Sequence, residues 1–413
     1  MIAEILTTGD EIRSGALVDS NSAHIASELE GVGVAVTRHH CLGDDLDGLA
    51  SAMEEIAVRA DLAVVTGGLG PTTDDLTADA AARAAGVSLV LNETALSAIE
   101  AYFTSRGRVM GDSNRKQAML PEGATMIPNP VGTAPGFSLS LGKSLFFFVP
   151  GVPYEMRRMM ADAVIPAVES RFEKDRETVR VKTLSTFGLP ESVAGEKLSG
   201  IESAFPGLKL GMRARFPEIQ VKFYASGPDE VAVDGLLAAA TQWVRERLGH
   251  RIFSETGQSM EEAVGELLRQ QGATLAVAES CTGGLIAHKM TDVPGSSEYF
   301  LFSAVTYSNE AKIRVLGVSE ETLKAHGAVS EATAREMAEG ARKVAGATHA
   351  ISTTGIAGPE GGTPEKPVGT VCIGIAGPEG AKAKRFVLSY PSRQMNKTMF
   401  AVTALNGLRR VLE

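Results

Sequence analysis

The residues of this chain best suited to chemistry begin with the run Ala276-Val277-Ala278-Glu279-Ser280-Cys281-Thr282-Gly283-Gly284-Leu285. An apolar, strand-like stretch from Thr274 to Ala278 stops at small polar residues, after which Leu285, Ile286 and Met290 take helical spacing. A hydroxyl at a strand-to-helix turn is exposed. It also lies beside the free N–H groups and the positive dipole end of the following helix. Such N–H groups can receive the oxyanion formed when a serine attacks a carbonyl, which makes Ser280 a candidate nucleophile. The same position equally suits a helix cap. Cys281 is open to two readings, reactive thiol or inert packing residue.

A serine nucleophile needs a base. His288 lies about two turns along the helix that Ser280 is expected to begin, so its ring should point away, and His326 and His349 have no motif around them. Lys312 is the better candidate. It falls in the first turn of an expected helix after Tyr307-Ser308-Asn309-Glu310-Ala311, capped by Ser308 or Asn309. A lysine that is desolvated or near a helix N-terminus has a lowered pKa and can take a proton from serine. By itself Lys312 also reads as a surface lysine.

Glycine loops are the second kind of candidate. The strand Leu62 to Val65 breaks into Thr66-Gly67-Gly68-Leu69-Gly70-Pro71-Thr72-Thr73-Asp74-Asp75, with a helix start behind it from Leu76 to Ala85. Glycines let a backbone approach a ligand and aim N–H groups at phosphate. The spacing is not that of the dinucleotide fingerprint, and a tight surface turn before a helix is the alternative. Asp74 and Asp75 suit a metal, a ribose or a phosphate-bound cation. Arg115 and Lys116 add positive charge or form a solvated helix face. Another loop, Thr354-Gly355-Ile356-Ala357-Gly358-Pro359-Glu360-Gly361, follows the strand His349 to Thr353.

The elements that position these residues imply an α/β chain in three parts, 1–170, 171–253 and 258–413. In the first, strands at Ile2 to Thr7, Ala35 to Thr37 and Leu62 to Val65 alternate with helices after Asp19-Ser20-Asn21 and over Leu46 to Val58. That rhythm predicts a parallel sheet with helices on both faces and ligands at the carboxyl ends of the strands. The charged run Arg171 to Glu177 marks a boundary. Beyond it come a strand (Val179 to Thr186), a helix (Pro190 to Ile201), a strand pair (Lys209 to Arg213, Ile219 to Ala225) and a long helix (Asp229 to Leu248), a small α+β module. The last part carries helices over Met260 to Gln271 and Glu331 to Val344, a hairpin (Gly369 to Ala376, Lys382 to Tyr390) and a terminal helix from Arg393.

Composition narrows the class. The 413 residues are 44% hydrophobic and 22% charged, as in a soluble globular protein of several domains. No apolar run approaches the ~20 residues of a membrane helix, and the N-terminus lacks the basic region of a signal peptide. Three widely spaced cysteines argue against a disulfide framework and for a reducing cytoplasm. With 40 Lys plus Arg against 50 Asp plus Glu, the net charge is −10, so the chain has no general attraction for a nucleic-acid backbone.

Gly67 to Asp75, with Gly9-Asp10-Glu11 and Asp19-Ser20-Asn21, resembles the molybdopterin-binding (MoaB/MogA-like) three-layer domain, in the variant found at the front of the CinA family of competence/damage-inducible proteins. Pro128 to Phe137 and Val149 to Met156 fit the same form. Asp44 and Asp75 fall where pterin-binding relatives carry their functional aspartates. The resemblance implies cleavage of the pyrophosphate of ADP-ribose. Asp74 and Asp75 would hold a divalent metal, with or without a monovalent cation, and Gly67, Gly68, Gly70, Thr72 and Asp44 would bind the substrate. The middle part resembles the family's KH-like domain. It lacks the G-x-x-G clamp of a nucleic-acid-binding KH, since Gly207 to Gly211 has the wrong spacing, and reads as a connector or dimerisation module.

Ala278 to Gly284, Tyr307 to Lys312 and Thr353 to Pro359 occur together and in order, and are similar to the family's C-terminal domain, the nicotinamide mononucleotide (NMN) deamidases. The resemblance implies a cofactor-free amidohydrolase with Ser280 as nucleophile, Lys312 as base and Tyr307 in support. Backbone N–H groups near Thr282 and Gly283 would hold the oxyanion. Thr354, Gly355, Gly358 and Gly361, with Arg393, would hold the 5′-phosphate. A homodimer without membrane attachment is the family expectation. The rivals are a non-catalytic adaptor binding a recombinase-type partner in DNA uptake, and a molybdopterin-binding protein.

Overall fold

The computed structural model describes residues 1–171 and 178–413, so the expected boundary segment lies outside the described residues from Phe172 to Glu177. By internal contacts the chain forms two compact units. One is Met1–Val181 with Ala225–Gly235, and the other is Lys182–Tyr224 with Leu236–Glu413.

In the first unit, successive residues of each central strand enter different cores. Ile5 and Val64 join Ile25, Leu29 and Met156 on one face. Leu6 and Val65 join Leu49, Met53 and Ile56 on the other. Alternate residues of a strand point to opposite faces, so a sheet covered by helices on both sides needs such uninterrupted apolar strands. Leu62–Thr66 is accordingly buried throughout. Asp19 and Asp45 begin the helices Ser20–Gly31 and Leu46–Arg59 by accepting the N–H groups of Ser22 and Gly48.

The sheet has six strands in the order Ala35–Leu42, Ile2–Thr8, Leu62–Thr66, Ser144–Val149, Gly136–Leu141, Thr125–Ile127. The first four are parallel and the last two antiparallel. The strands expected to be parallel, Ile2–Thr8, Ala35–Leu42 and Leu62–Thr66, are so, and the sheet continues into an antiparallel edge. Only Gly142 and Lys143 separate Gly136–Leu141 from Ser144–Val149, too few residues for the crossover that parallel neighbours require.

The second unit repeats the logic. Its five-stranded sheet runs Phe300–Val305, Leu275–Glu279, His349–Gly355, Thr370–Gly377, Gly380–Val387, the first three parallel and the remainder antiparallel. Val277 and Ile351 pack with Met260, Val264, Phe400 and Leu405. Ala276, Ala278 and Ala350 pack with Met337, Ala338 and Ala341 on the opposite face. The helices Met260–Gln270 and Arg393–Leu412 thus cover one face, and Glu331–Ala345 the other.

A four-stranded sheet, in the order Leu208–Arg215, Glu218–Gly227, Thr178–Phe187, Ile252–Ser254, and the helix Glu230–Leu248 form the expected α+β module. Contacts divide its residues between the two units. Among the described residues no helix is long and apolar enough to cross a membrane.

Candidate active site

The fully buried strand Leu275–Glu279 delivers Ser280 to the end of the second unit's sheet. Its main chain is held from both sides: the Ser280 N–H donates to Thr353 O (2.9 Å) and the Thr306 N–H to Glu279 O (2.8 Å). The Gly283 N–H donates to Ser280 O (3.1 Å) and closes a turn. The helix then starts at Leu285, with Gly284 as N-cap residue at φ 90°. This corrects the expectation that Ser280 begins the helix and removes the capping reading of its hydroxyl.

The helix end is occupied by a neighbour. Glu279 is completely buried, and its carboxylate accepts the N–H groups of Gly284 (3.0 Å), Ile286 (3.1 Å) and Ala287 (2.9 Å). The orphan donors expected to face an oxyanion at Ser280 are therefore already bound to an anion.

Lys312 is buried to 1% exposure in the helix Asn309–Leu316, whose cap is Ser308, the acceptor for the Ala311 N–H. Its Nζ donates to Ser280 Oγ (3.2 Å), Thr306 O (2.9 Å) and Tyr307 O (3.2 Å). Burial lowers its pKa, with Cys281 acting weakly in the other direction. Two carbonyls can satisfy both hydrogens of a neutral amine, which turns its lone pair toward the serine hydroxyl. The Cys281 thiol, buried in the core beside that hydroxyl, is pushed up to about 12 by desolvation and stays protonated near neutrality. His288 is exposed and pairs with Asp292 (3.5 Å).

The remaining C-terminal candidates surround this pair in different roles. The Tyr307 side chain is 62% exposed, and its hydroxyl accepts from Arg393 Nη2 (3.1 Å), while its carbonyl serves Lys312. Arg393, the first residue of the terminal helix, also donates through Nη1 to Gly358 O (2.7 Å). Gly358 is in the left-handed region (φ 81°), and a Cβ there would stand 2.6 Å from Val368 Cγ1, so glycine is required. Thr282 and Thr353 share a buried hydroxyl contact (2.7 Å), and Thr354 Oγ1 donates to Ala328 O (2.7 Å). Those hydroxyls are engaged in the scaffold. At Gly355 a Cβ would stand 2.5 Å from Thr370 O, so this glycine serves close packing between strands.

Three residues of the site drew no role from the sequence. Glu279 is one, although it lies within the Ala278 to Gly284 motif. Asn396 is buried, donates to Ala357 O (3.0 Å) and accepts the Tyr390 N–H (2.8 Å), so it fixes the glycine loop. Lys397 places Nζ 3.4 Å from where a Cβ on Gly283 would stand. The last two follow Arg393 by three and four residues, the spacing of neighbours on one helix face, and only that periodicity could have singled them out.

In the first unit the other glycine loop is tightly self-bonded. Gly67 and Gly68 have φ of 108° and 64°, and the Gly67 carbonyl accepts from Thr77 Oγ1 (2.8 Å). Asp75 accepts the Thr72 N–H (2.8 Å) and its hydroxyl, and would stand 2.5 Å from a Cβ on Gly70. Lys116 Nζ donates to the carbonyls of Thr72 and Asp75 (2.7 Å each), so it is a structural tie of the loop. A cavity of about 240 Å³ is lined by Gly68, Gly70, Asp75, Lys116 and Gln117. Asp44 accepts the Asp10 N–H (3.2 Å); burial and the charges of Asp10, Glu11 and Asp74 push its carboxyl upward. Among the described residues no three His, Cys, Asp or Glu side chains converge as a metal centre, so the donor set does not fit a divalent ion as it stands.

Comparison with known proteins agrees with this architecture. Residues 4–170 match the probable molybdopterin binding domain, 181–254 the KH domain of damage-inducible protein CinA, and 257–412 the CinA C-terminal domain. The chain is thus α/β with a molybdopterin-binding-like domain, a KH-like domain and a CinA domain in order. The CihA competence/damage-inducible protein of Agrobacterium tumefaciens, a solved structure, is 38% identical over 38% of this chain and 96% of its own, with a TM-score of 0.36. A CinA-like protein of Geobacter metallireducens is 47% identical over 100% of this chain and 99% of its own. Another, from Desulfosudis oleivorans, is 54% identical over the whole of both chains, and on that full-length likeness the protein belongs to the CinA family.

Proposed function

We propose that the second unit is an amidohydrolase of the serine–lysine type and that its substrate is NMN. The observation that supports this reading above others is the buried Lys312 amine, 3.2 Å from Ser280 Oγ and flanked by two carbonyls. A lysine placed there for stability alone would carry a desolvation cost without a carboxylate to offset it. A lysine that must act as a base gains from that same cost, because desolvation favours its neutral form.

The chemistry follows from the geometry. Neutral Lys312 takes the Ser280 proton as Oγ attacks the carboxamide carbon. When the tetrahedral adduct collapses, the C–N bond breaks and Lys312 returns the proton to the departing nitrogen, which leaves as ammonia. Water, deprotonated by the same amine, then cleaves the Ser280 ester and releases nicotinate mononucleotide. The turn N–H groups of Cys281 and Thr282 are the donors we assign to the oxyanion, since the N–H expected from Gly283 is taken by Ser280 O (3.1 Å). Neither step uses a cofactor, and a cytoplasmic setting is part of the same reading. An adaptor for a recombinase would have no use for a desolvated amine against a serine.

Ammonia release from NMN by wild type and by Ser280→Ala in metal-free buffer is the test. Release by wild type with loss in the variant is expected. Equal release by both would remove Ser280 as nucleophile, and no release by either would overturn the amidase.

A second activity, ADP-ribose pyrophosphate cleavage by the first unit, is supported by the setting of Asp44. It accepts the Asp10 N–H (3.2 Å), and its carboxyl is pushed upward by burial and by the charges of Asp10, Glu11 and Asp74, without a three-carboxylate cluster among the described residues. Like charges held together favour a cationic partner. Because no donor set converges, no step is routed through a metal. Release of AMP from ADP-ribose across a titration of divalent ions, lost in Asp44→Asn, tests this reading.

A further inference from the structure

We propose that the β-hairpin of the α+β module is a positioning arm of the amidase, whose tip residue Phe216 sets the glycine loop 355–361 through Tyr390 and Asn396. The inference rests on the amidase reading and makes Phe216 a positioning residue for that reaction. It begins from the hairpin's placement. The strands Leu208–Arg215 and Glu218–Gly227 leave only Phe216 and Pro217 at their turn. Just behind it, the buried Glu218 accepts the N–H of Met260 (3.3 Å), the first residue of the helix Met260–Gln270. Met260 belongs to the core under Ser280, so this bond seats the base of the hairpin on the amidase itself.

A two-residue hairpin turn favours Gly, Asn or Asp, so an aromatic there is explained by what it touches. Phe216 is 40% exposed, and its ring meets that of Tyr390 edge-on, with centroids 5.0 Å apart at 73°. Such a perpendicular contact is directional, so it fixes where Tyr390 stands as well as covering it. Tyr390 is tied to the terminal helix at both ends of its main chain. Its N–H donates to Asn396 Oδ1 (2.8 Å), and its carbonyl accepts from Asn396 Nδ2 (3.4 Å). The same Nδ2 donates to Ala357 O (3.0 Å). One buried NH₂ therefore serves Tyr390 and the glycine loop together, and a shift of the first loosens the second. The next loop residue, Gly358, holds Arg393, which in turn meets the Tyr307 hydroxyl. The hairpin tip thus bears on a wall of the site that carries none of the reacting atoms.

The test uses the full chain and reads ammonia release from NMN in wild type, Phe216→Ala, Phe216→Tyr, Tyr390→Ala and the double variant Phe216→Ala/Tyr390→Ala. Phe216→Ala should raise KM roughly 3- to 10-fold and leave kcat within about twofold, and Phe216→Tyr, which keeps the ring, should restore KM. The double variant should lose no more than Tyr390→Ala alone, because Phe216 acts through that ring. An unchanged KM, a loss confined to kcat, or additive losses would overturn the proposal. Hydrogen–deuterium exchange separates it from the amidase reading. Peptides carrying the Ile356 and Tyr390 N–H groups should exchange severalfold faster in Phe216→Ala, while the strand Leu62–Thr66 of the first unit stays as in wild type. If wild type releases no ammonia, the amidase fails, and faster exchange at those two amides still keeps the arm. Exchange unchanged at both removes the arm, whatever the kinetics.

Discussion

Replacing Glu279 with glutamine should unsettle the Ser280 turn more than its near-isosteric shape suggests. One carboxylate oxygen accepts the N–H groups of Gly284 and Ile286, and the other accepts that of Ala287. A glutamine oriented to keep the first two contacts must aim its NH₂ at the Ala287 N–H, setting donor against donor. One charge-assisted bond is lost, a buried N–H is left unpaired, and the two surviving bonds become neutral ones. At about 1–3 kcal/mol for an unsatisfied buried donor, the expected loss is roughly 3 kcal/mol. In a unit of this size each kcal/mol moves the midpoint by about 2–4 °C, so scanning calorimetry should show its transition about 6–12 °C lower. Ammonia release should fall at least about tenfold, because Ser280 is carried by the turn that those bonds brace. A midpoint within 2 °C of wild type would refute the reasoning, as would Glu279→Ala matching Glu279→Gln, since alanine leaves all three N–H groups without their acceptor.

Other perturbations have equally definite outcomes. Burial lowers the pKa of Lys312 below that of the unfolded chain. The native state therefore holds fewer protons in the window below the ordinary lysine value, where this residue's contribution to stability rises with pH. Ammonia release should climb with pH as the amine becomes neutral, and Lys312→Met should lose roughly 10²–10⁴-fold in rate; a flat wild-type profile would refute the base. Cys281, with its thiol held at about 12, should resist iodoacetamide in the folded protein at pH 8, and Cys281→Ala should keep ammonia release within about threefold; rapid alkylation with inactivation would restore the thiol as nucleophile. Glu218 is raised to about 7 by burial and then by Glu261. The native state keeps a proton there that the unfolded chain loses from about pH 4.5, so stability falls between pH 4.5 and 7 by about 3 kcal/mol (2.5 pH units at ~1.36 each). Glu218→Gln should recover that amount at pH 8 and little at pH 4, as read from denaturant midpoints at both pH values.

The parts of the site legible in the sequence are those set by local rules. Ser280 stands out because an apolar strand stops at it and a helical period resumes beyond it. Lys312 stands out because Ser308 caps its helix. The alternation of strands and helices likewise announced an α/β chain, but the antiparallel edge of the first sheet turned on a two-residue link that periodicity does not register. What escaped is set by tertiary packing. Nothing in the type of Glu279 tells whether it faces water or folds forward onto the next helix, and on composition alone a carboxylate is expected outside. Lys312 has the same ambiguity, since its helix would tolerate it on either side. In the fold both side chains are buried, Glu279 at the end of its strand and Lys312 in its helix. There the carboxylate finds three backbone donors. The amine finds only neutral oxygens, so its charge has no counterion and the proton is held weakly. Of the two buried groups at the Ser280 turn, the carboxylate is taken up by backbone N–H groups and the amine touches Oγ, and that asymmetry, more than the presence of either residue, makes the turn a site.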